Sequence, residues 1–345
     1  MGKSFSKCKN CGSELWFNPK QNCLTCKHCE SNYFLPKKSQ DAVLIRQYDA
    51  GFHPNQLNQN LNAYKCEGCG NIYYMSSEEK SKKCPNCGHS SCSLVSDNGY
   101  CADGVIPFTV SKETAAKCFS DYLKSKKYIP KDLKKLAEAN KLTGIFLPVW
   151  NFSFNIDAMF SATASELKKD FQGMYYTVAK PVFGEEHERI KSLDASATNA
   201  TDDAFLELFD ENDYARIIPY ITEYTYGYKV ASINKDIHDY YYQITSEAEK
   251  RLEKKIKHNV VNKYKEVRDV EVNSKANDVF FNFTYVPVYV NTFAYRGKVY
   301  RTYVSGTTGK VIGKTPVSIK KKIKRFIGTV AFLGIAALIA YLFII

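Results

Sequence analysis

Apolar residues along the chain follow three kinds of spacing. The first is helical. Behind Ser111, a candidate N-cap, Ala115, Cys118, Phe119, Tyr122 and Leu123 fall on one helix face, so Cys118 belongs to a core rather than to a nucleophile. Pro130 opens a second predicted helix carrying Leu133, Leu136 and Ala137. A short helix is predicted over 201–212, with Ala204, Phe205, Leu208 and Phe209 on its apolar side. A longer one runs over 243–264, with Ile244, Ala248, Leu252, Ile256 and Val260 four apart and a solvated Lys/Glu face opposite.

The second spacing is alternation, which predicts strands. Phe146-Leu147-Pro148-Val149-Trp150 is echoed by Tyr285-Val286-Pro287-Val288-Tyr289. Phe152, Phe154 and Ile156 alternate after the first copy. Phe293, Tyr295 and Val299 flank an Arg296-Gly297 turn after the second. Each copy thus predicts an antiparallel hairpin, and the two together predict related halves of an α+β domain. The proline inside each strand points to an edge or a bulge. Gly306-Thr307-Thr308-Gly309 predicts a turn before a last strand over 310–313.

The third is an unbroken apolar run over 326–345, twenty residues without a charge. As a helix it would span about 30 Å, the thickness of a bilayer's hydrocarbon core. Lys320, Lys321, Lys322, Lys324 and Arg325 precede it and are expected at the membrane surface, on the cytoplasmic side. The expectation is a C-terminal transmembrane α-helix, single-pass in the cell membrane, with the bulk of the chain cytoplasmic. The formal net charge of +12 is partly explained by that flank facing anionic lipid, so it does not require nucleic acid. The start, Met1-Gly2-Lys3-Ser4-Phe5-Ser6, fits the short myristoylation pattern but carries little weight. The sequons at Asn151, Asn199 and Asn282 stay unglycosylated in a cytoplasmic domain.

The chain has 12 cysteines, and eight of them follow one spacing twice. Cys8, Cys11, Cys26 and Cys29 form C-x2-C-x14-C-x2-C, and Cys66, Cys69, Cys84 and Cys87 repeat it. A C-x2-C pair lets two thiolates and the N–H groups of a tight turn converge on one ion, and the glycine after the second cysteine suits the turn's left-handed position. Two such knuckles close a tetrahedral S4 site, favoured by Zn2+. The spacing differs from that of ferredoxin runs. Two structural zinc ions are therefore expected. Cys23 could stand in for Cys29, but the matched gap favours Cys26 and Cys29. His28 and His89 are expected as exposed knuckle residues. Cys92 and Cys101 have no partner pattern.

The paired C-x2-C-G units resemble TFIIB-type zinc ribbons. With Gly104-Val105-Ile106-Pro107-Phe108, Leu147-Pro148-Val149-Trp150 and Thr308-Gly309-Lys310-Val311, the chain resembles a bacterial zinc-ribbon membrane protein family often labelled primosomal or helicase-like. No G-x4-GK[ST] loop supports a helicase. The resemblance implies association with SPFH and PspA-like proteins of envelope-stress systems, and it supplies no catalytic residues.

The expected organisation is multidomain: a zinc ribbon over 1–36, a linker over 37–62 with a short element at 43–45, a second ribbon over 63–96, an α+β domain over 104–316, and the basic flank and anchor over 320–345. Glu185-Glu186-His187-Glu188 is the only dense acidic–histidine cluster and is expected as a charged loop, since it lacks the second histidine of a metalloprotease helix. The sequence therefore predicts an adaptor that docks protein partners at the membrane rather than an enzyme. The alternative is nucleic-acid or transcription-machinery binding through a first ribbon made basic by Lys7, Lys9, Lys20 and Lys27.

Overall fold

The computed structural model describes residues 7–36, 43–51, 62–75, 84, 87, 89–96, 102–126, 128–130, 142–264, 266–318, 323, 329 and 334. Strands β1 (Leu15–Asn18), β2 (Cys23–Cys26) and β3 (Asn32–Phe34) form a separate antiparallel sheet. Period-two alternation turns Leu15 and Phe17 inward, and these join Leu24 in the main core of the molecule.

Among the described residues the remaining strands form one twelve-stranded sheet. They begin with β4 (Arg46–Gln47), β5 (Asn62–Cys66), β6 (Ile72–Met75), β7 (Cys92–Val95) and β8 (Gly104–Val105). Helix α1 (Lys112–Ser125) follows, capped by Ser111, whose hydroxyl accepts from the Thr114 N–H, with Ala115, Phe119 and Leu123 buried. Then come two very long strands, β9 (Thr143–Lys169) and β10 (Tyr175–Ser196). A 3-10 turn (Asp203–Leu208), helix α2 (Glu211–Tyr214), β11 (Ile218–Pro219) and β12 (Lys229–Ala231) lead to helix α3 (Ile237–Lys263). Strands β13 (Val267–Tyr295), β14 (Lys298–Ser305) and β15 (Val311–Gly313) follow.

Two predicted halves are thereby replaced by one mostly β body. The echoed segments lie side by side, paired antiparallel with Pro148 opposite Tyr285 and Phe146 opposite Pro287. The first copy opens no hairpin: β9 runs straight on through Phe152, Phe154 and Ile156. The second does turn, at Arg296 (φ 51°) and Gly297 (φ 75°), both left-handed as a type I′ turn requires. The prolines lie at the centre of the sheet, and the reason is local. On its side away from β13, β9 pairs with β12 at Ile145 and Phe146 and with β10 from Val149 on. Pro148 occupies the gap, where its carbonyl accepts the Ala197 N–H at 3.0 Å. Pro287 sits between the stretches of β13 that pair with β8 and with β14, and its carbonyl accepts the Gly306 N–H at 2.9 Å. A residue's N–H and C=O point to the same side of a strand, so neither ring removes a ladder donor.

The base of β9 and β13 has a core on each face. One holds Phe146, Trp150, Phe283 and Tyr285. The other holds Leu147, Val149, Val286 and Val288 with Phe205 and Leu208. The latter two come from the segment predicted as one short helix, which Asp210 breaks by capping α2. Beyond the base, β10, β9 and β13 continue as a three-stranded arm. Helix α3 lies along one face with Ile244, Ala248, Leu252, Ile256 and Val260 buried. Bulges at Arg268/Glu271 and Asn277/Phe280 bend β13, with Asp269 and Asp278 in the left-handed region that aspartate tolerates.

One major expectation is corrected. Among the described residues no helix is long and apolar enough to cross a membrane. The longest, α3, buries one stripe and carries charges on the other side, as a helix packed on a sheet must. The C-terminal transmembrane helix, and the single-pass localisation built on it, are therefore unsupported. Of the 320–345 segment only Ile323, Thr329 and Gly334 are described; Lys320, Lys321, Lys322, Lys324 and Arg325 lie outside, as do Leu133, Leu136 and Ala137 of the predicted second helix and Cys101.

Candidate metal centres

Each centre is assembled from two knuckles by the same backbone bonds. In the first, the Gly12 N–H donates to the Cys8 carbonyl at 2.8 Å, and the Cys8 N–H donates to Ser13 at 2.7 Å. In the second, the Gly70 N–H donates to Cys66 and the Cys66 N–H to Asn71, both at 2.9 Å. Gly12 and Gly70 have the same φ of 73°, the left-handed turn the sequence implied. Glu30 holds the corresponding position after Cys29, at φ 58°, without the help of glycine.

The structure brings all eight predicted cysteines together in two groups, Cys8, Cys11, Cys26, Cys29 and Cys66, Cys69, Cys84, Cys87, each with its sulfurs within 4.8 Å of one another. Cys8–Cys29 and Cys11–Cys26 are 3.4 Å apart, and Cys66–Cys87 and Cys69–Cys84 are 3.6 Å apart. A tetrahedron with metal–sulfur bonds of about 2.3 Å has edges of about 3.8 Å, so both groups fit a four-thiolate ion with small adjustments. In each knuckle the first cysteine is buried, and the second is exposed or half-buried.

Local hydrogen bonds tune the first group unevenly. The Tyr33 hydroxyl, 3.3 Å from the Cys8 sulfur, draws that thiol down to about 6. The Cys29 backbone pulls Cys26 the same way, but burial and the Cys11 and Cys29 thiols outweigh it and push Cys26 up to about 11. In the second group burial acts to raise Cys66, and the Cys69 and Gly68 N–H groups overcome it, leaving the thiol lowered.

The extra cysteines separate. Cys23 is buried with its sulfur toward Gln21 and Thr25, on the opposite face of β2 from Cys26, so it is not a substitute ligand. Cys92 lies across from Cys66 on β7 and contacts the Tyr73 hydroxyl at 2.6 Å. His28 and His89 are exposed, and His89 packs over Gly68. Neither Tyr33 nor Cys92 was indicated by motif spacing; both come from the last strand of their ribbon, which the sequence pattern marks weakly.

The two centres are mounted differently. The first ribbon docks through its β1 face: the Phe17 N–H donates to Tyr226 at 3.0 Å and the Phe17 ring meets Tyr224 edge-on at 5.2 Å. Gly227, at φ 84°, lets Trp16 approach, since a Cβ there would lie 2.3 Å from the indole. A cleft of about 660 Å³ remains between this ribbon and the body, lined in part by Trp16, Lys20, Lys27, Ser111, Lys112 and Tyr289. The second ribbon is continuous with the main sheet, because β6 pairs with β12, Tyr74 opposite Val230 and Tyr73 opposite Ala231.

Glu185-Glu186-His187-Glu188 is strand, not loop. His187 contacts Asp157 at 2.7 Å on one face, while Glu188 on the other pairs with Lys255 of α3 at 3.0 Å. Hydrogen bonding to Asp157 raises the His187 pKa. Asn277 also donates to Asp157 at 2.7 Å, completing an exposed polar cluster on the arm.

Over 332 residues the chain is 24% identical to "Uncharacterized protein YdjG" of Bacillus subtilis (strain 168), with 93% of each chain covered. No family model matches the chain, and no solved structure matches it.

Proposed function

We propose that each four-cysteine group holds one structural Zn2+, and that the protein is an adaptor which docks protein partners on a zinc-braced β framework. Zinc is favoured by four thiolates in tetrahedral reach, and four protein ligands leave no coordination position for water or substrate. Cys8, Cys11, Cys26 and Cys29 would hold one ion and Cys66, Cys69, Cys84 and Cys87 the other.

The observation that carries the docking role is the far end of the arm. Leu167, Phe171, Met174 and Tyr175 cluster around the β9–β10 turn with 65%, 96%, 67% and 64% of their surface exposed. The turn is held firmly: the Asp170 carboxylate accepts from the Gln172 and Met174 N–H groups, each at 2.8 Å. A braced apolar tip standing in water fits a contact surface better than a core. The SPFH and PspA-like proteins implied by the family resemblance are the first partners to titrate. Phe171→Asp combined with Met174→Asp is expected to keep both zinc ions and the wild-type unfolding temperature while abolishing capture. Capture undiminished in that variant, or persisting when Cys11→Ser and Cys69→Ser disrupt both ribbons, would overturn the reading.

A second reading, nucleic-acid binding, is favoured by the cleft beside the first ribbon, where Lys20, Lys27 and Lys112 meet Trp16. Phosphate contacts there require an affinity for single-stranded oligonucleotide that falls steeply with salt. No binding at low salt removes this reading.

A further inference from the structure

Cys92 belongs to the second centre by geometry, although four other thiols already complete the tetrahedron. Strands β5 and β7 are antiparallel, with Cys66 opposite Cys92. The Glu67 N–H donates to the Ser91 carbonyl at 3.2 Å, and the Cys66 N–H turns the other way, to Asn71. Residues 67 and 91 are thus the hydrogen-bonded pair, and 66 and 92 the adjacent non-hydrogen-bonded one. In such a pair the Cα atoms lie about 4.5 Å apart with both side chains on one face. That separation falls within the range a disulfide spans. The Tyr73 hydroxyl, touching the Cys92 sulfur, confirms that the thiol points to the face where Tyr64, Cys66 and Cys84 are packed. Cys92 is half-buried, so a small oxidant can reach it.

We propose that Cys92 is an oxidation site that forms a disulfide with Cys66 and thereby opens the second metal centre. This rests on the reading of that centre as a zinc site. With hydrogen peroxide as oxidant, the Cys92 sulfur attacks one peroxide oxygen, the O–O bond breaks, and a sulfenic acid and water form. The Cys66 sulfur, leaving the metal, then attacks the Cys92 sulfur. The S–S bond forms, the S–O bond breaks, and the departing hydroxide takes a proton to become a second water. Two thiol sulfurs are oxidised by two electrons in all, and one peroxide is reduced. A bound ion would then have only Cys69, Cys84 and Cys87 to hold it and would be readily lost to a chelator. Among the described residues the first centre has no such thiol: Tyr33 approaches Cys8 from the last strand of that ribbon, and Cys23 faces away.

The test uses the full chain, reduced, loaded with zinc and exposed to graded peroxide. Released zinc is followed with a chromogenic chelator, and disulfides are mapped by mass spectrometry of unreduced peptides. Wild type is expected to release one of its two equivalents as a Cys66–Cys92 cross-linked peptide appears. Cys92→Ser and Cys92→Ala, each first shown to bind both ions, are expected to retain both at the same dose, and Cys23→Ser to behave as wild type. Zinc release from both Cys92 variants at the wild-type rate, or cross-links joining other cysteines instead, would overturn the proposal. A chain that binds no zinc at all refutes the metal reading separately. The cross-linked peptide, present or absent, then decides the thiol pair alone.

Discussion

The two cysteine centres share ligand spacing, knuckle hydrogen bonds and burial pattern, yet they are built into the molecule in different ways. The first sits on its own three-stranded sheet and touches the body through side chains and the Phe17–Tyr226 hydrogen bond. The second shares strands with the body, since β6 is hydrogen-bonded to β12 and β12 to β9. Identical local chemistry can therefore have unequal reach. Disordering the first ribbon uncovers a patch, whereas disordering the second unpairs an edge of the main sheet.

Removing one buried cysteine from each centre separates the two most strongly. Cys84→Ser is expected to lower the stability of the whole chain by several kcal/mol, on the order of a third of the binding free energy of a structural zinc. Hydrogen-exchange protection is expected to fall across β6 and β12. Cys26→Ser is expected to strip protection from β1 to β3 while β6, β9 and β12 stay protected. Equal, global loss in both variants would erase the distinction.

Next in size is Gly227→Ala, which places a Cβ against Trp16 at a left-handed backbone position. It should destabilise the chain by about 1–3 kcal/mol and loosen the first ribbon without releasing zinc. Denaturant unfolding, tryptophan fluorescence and metal content read this together.

A pH-dependent effect is expected at the first centre. Cys8, held at about 6, is largely thiolate at neutral pH, whereas Cys26, held at about 11, is protonated. Loading the apo site at neutral pH should therefore release fewer protons than there are thiols, as calorimetry in buffers of different ionisation enthalpy can count. The thiolate is the ligand, so zinc affinity weakens as the pH falls, not as it rises. The smallest effect is expected from Tyr33→Phe, which removes the hydroxyl bond to Cys8. It should raise the Cys8 thiol toward its ordinary range and slow its alkylation in the apo protein at neutral pH.

Much of this was legible in the sequence where residue type and spacing act locally. The two four-cysteine groups, the Ser111 cap, the apolar stripe of α3 and the Arg296-Gly297 turn each follow from a few neighbouring residues. What was illegible depends on distant pairing. Pro148 and Pro287 argue for strand edges until the change of neighbours beside each is seen. The Glu185–Glu188 run resembles a loop because both faces of the arm at that point are polar or paired with α3. Cys92 gains meaning only from lying across the sheet from Cys66, 26 residues earlier. The apolar run over 326–345 fits a membrane span by composition, but no described helix provides one.

The central claim is that both four-cysteine groups are closed zinc centres. Zinc K-edge X-ray absorption on the full chain, purified under reducing conditions and with its metal content quantified, tests it most directly. Two zinc ions per chain are expected, each surrounded by four sulfurs at about 2.3 Å. Nitrogen or oxygen in the first coordination sphere, or a reduced, folded chain that binds no metal, would contradict it.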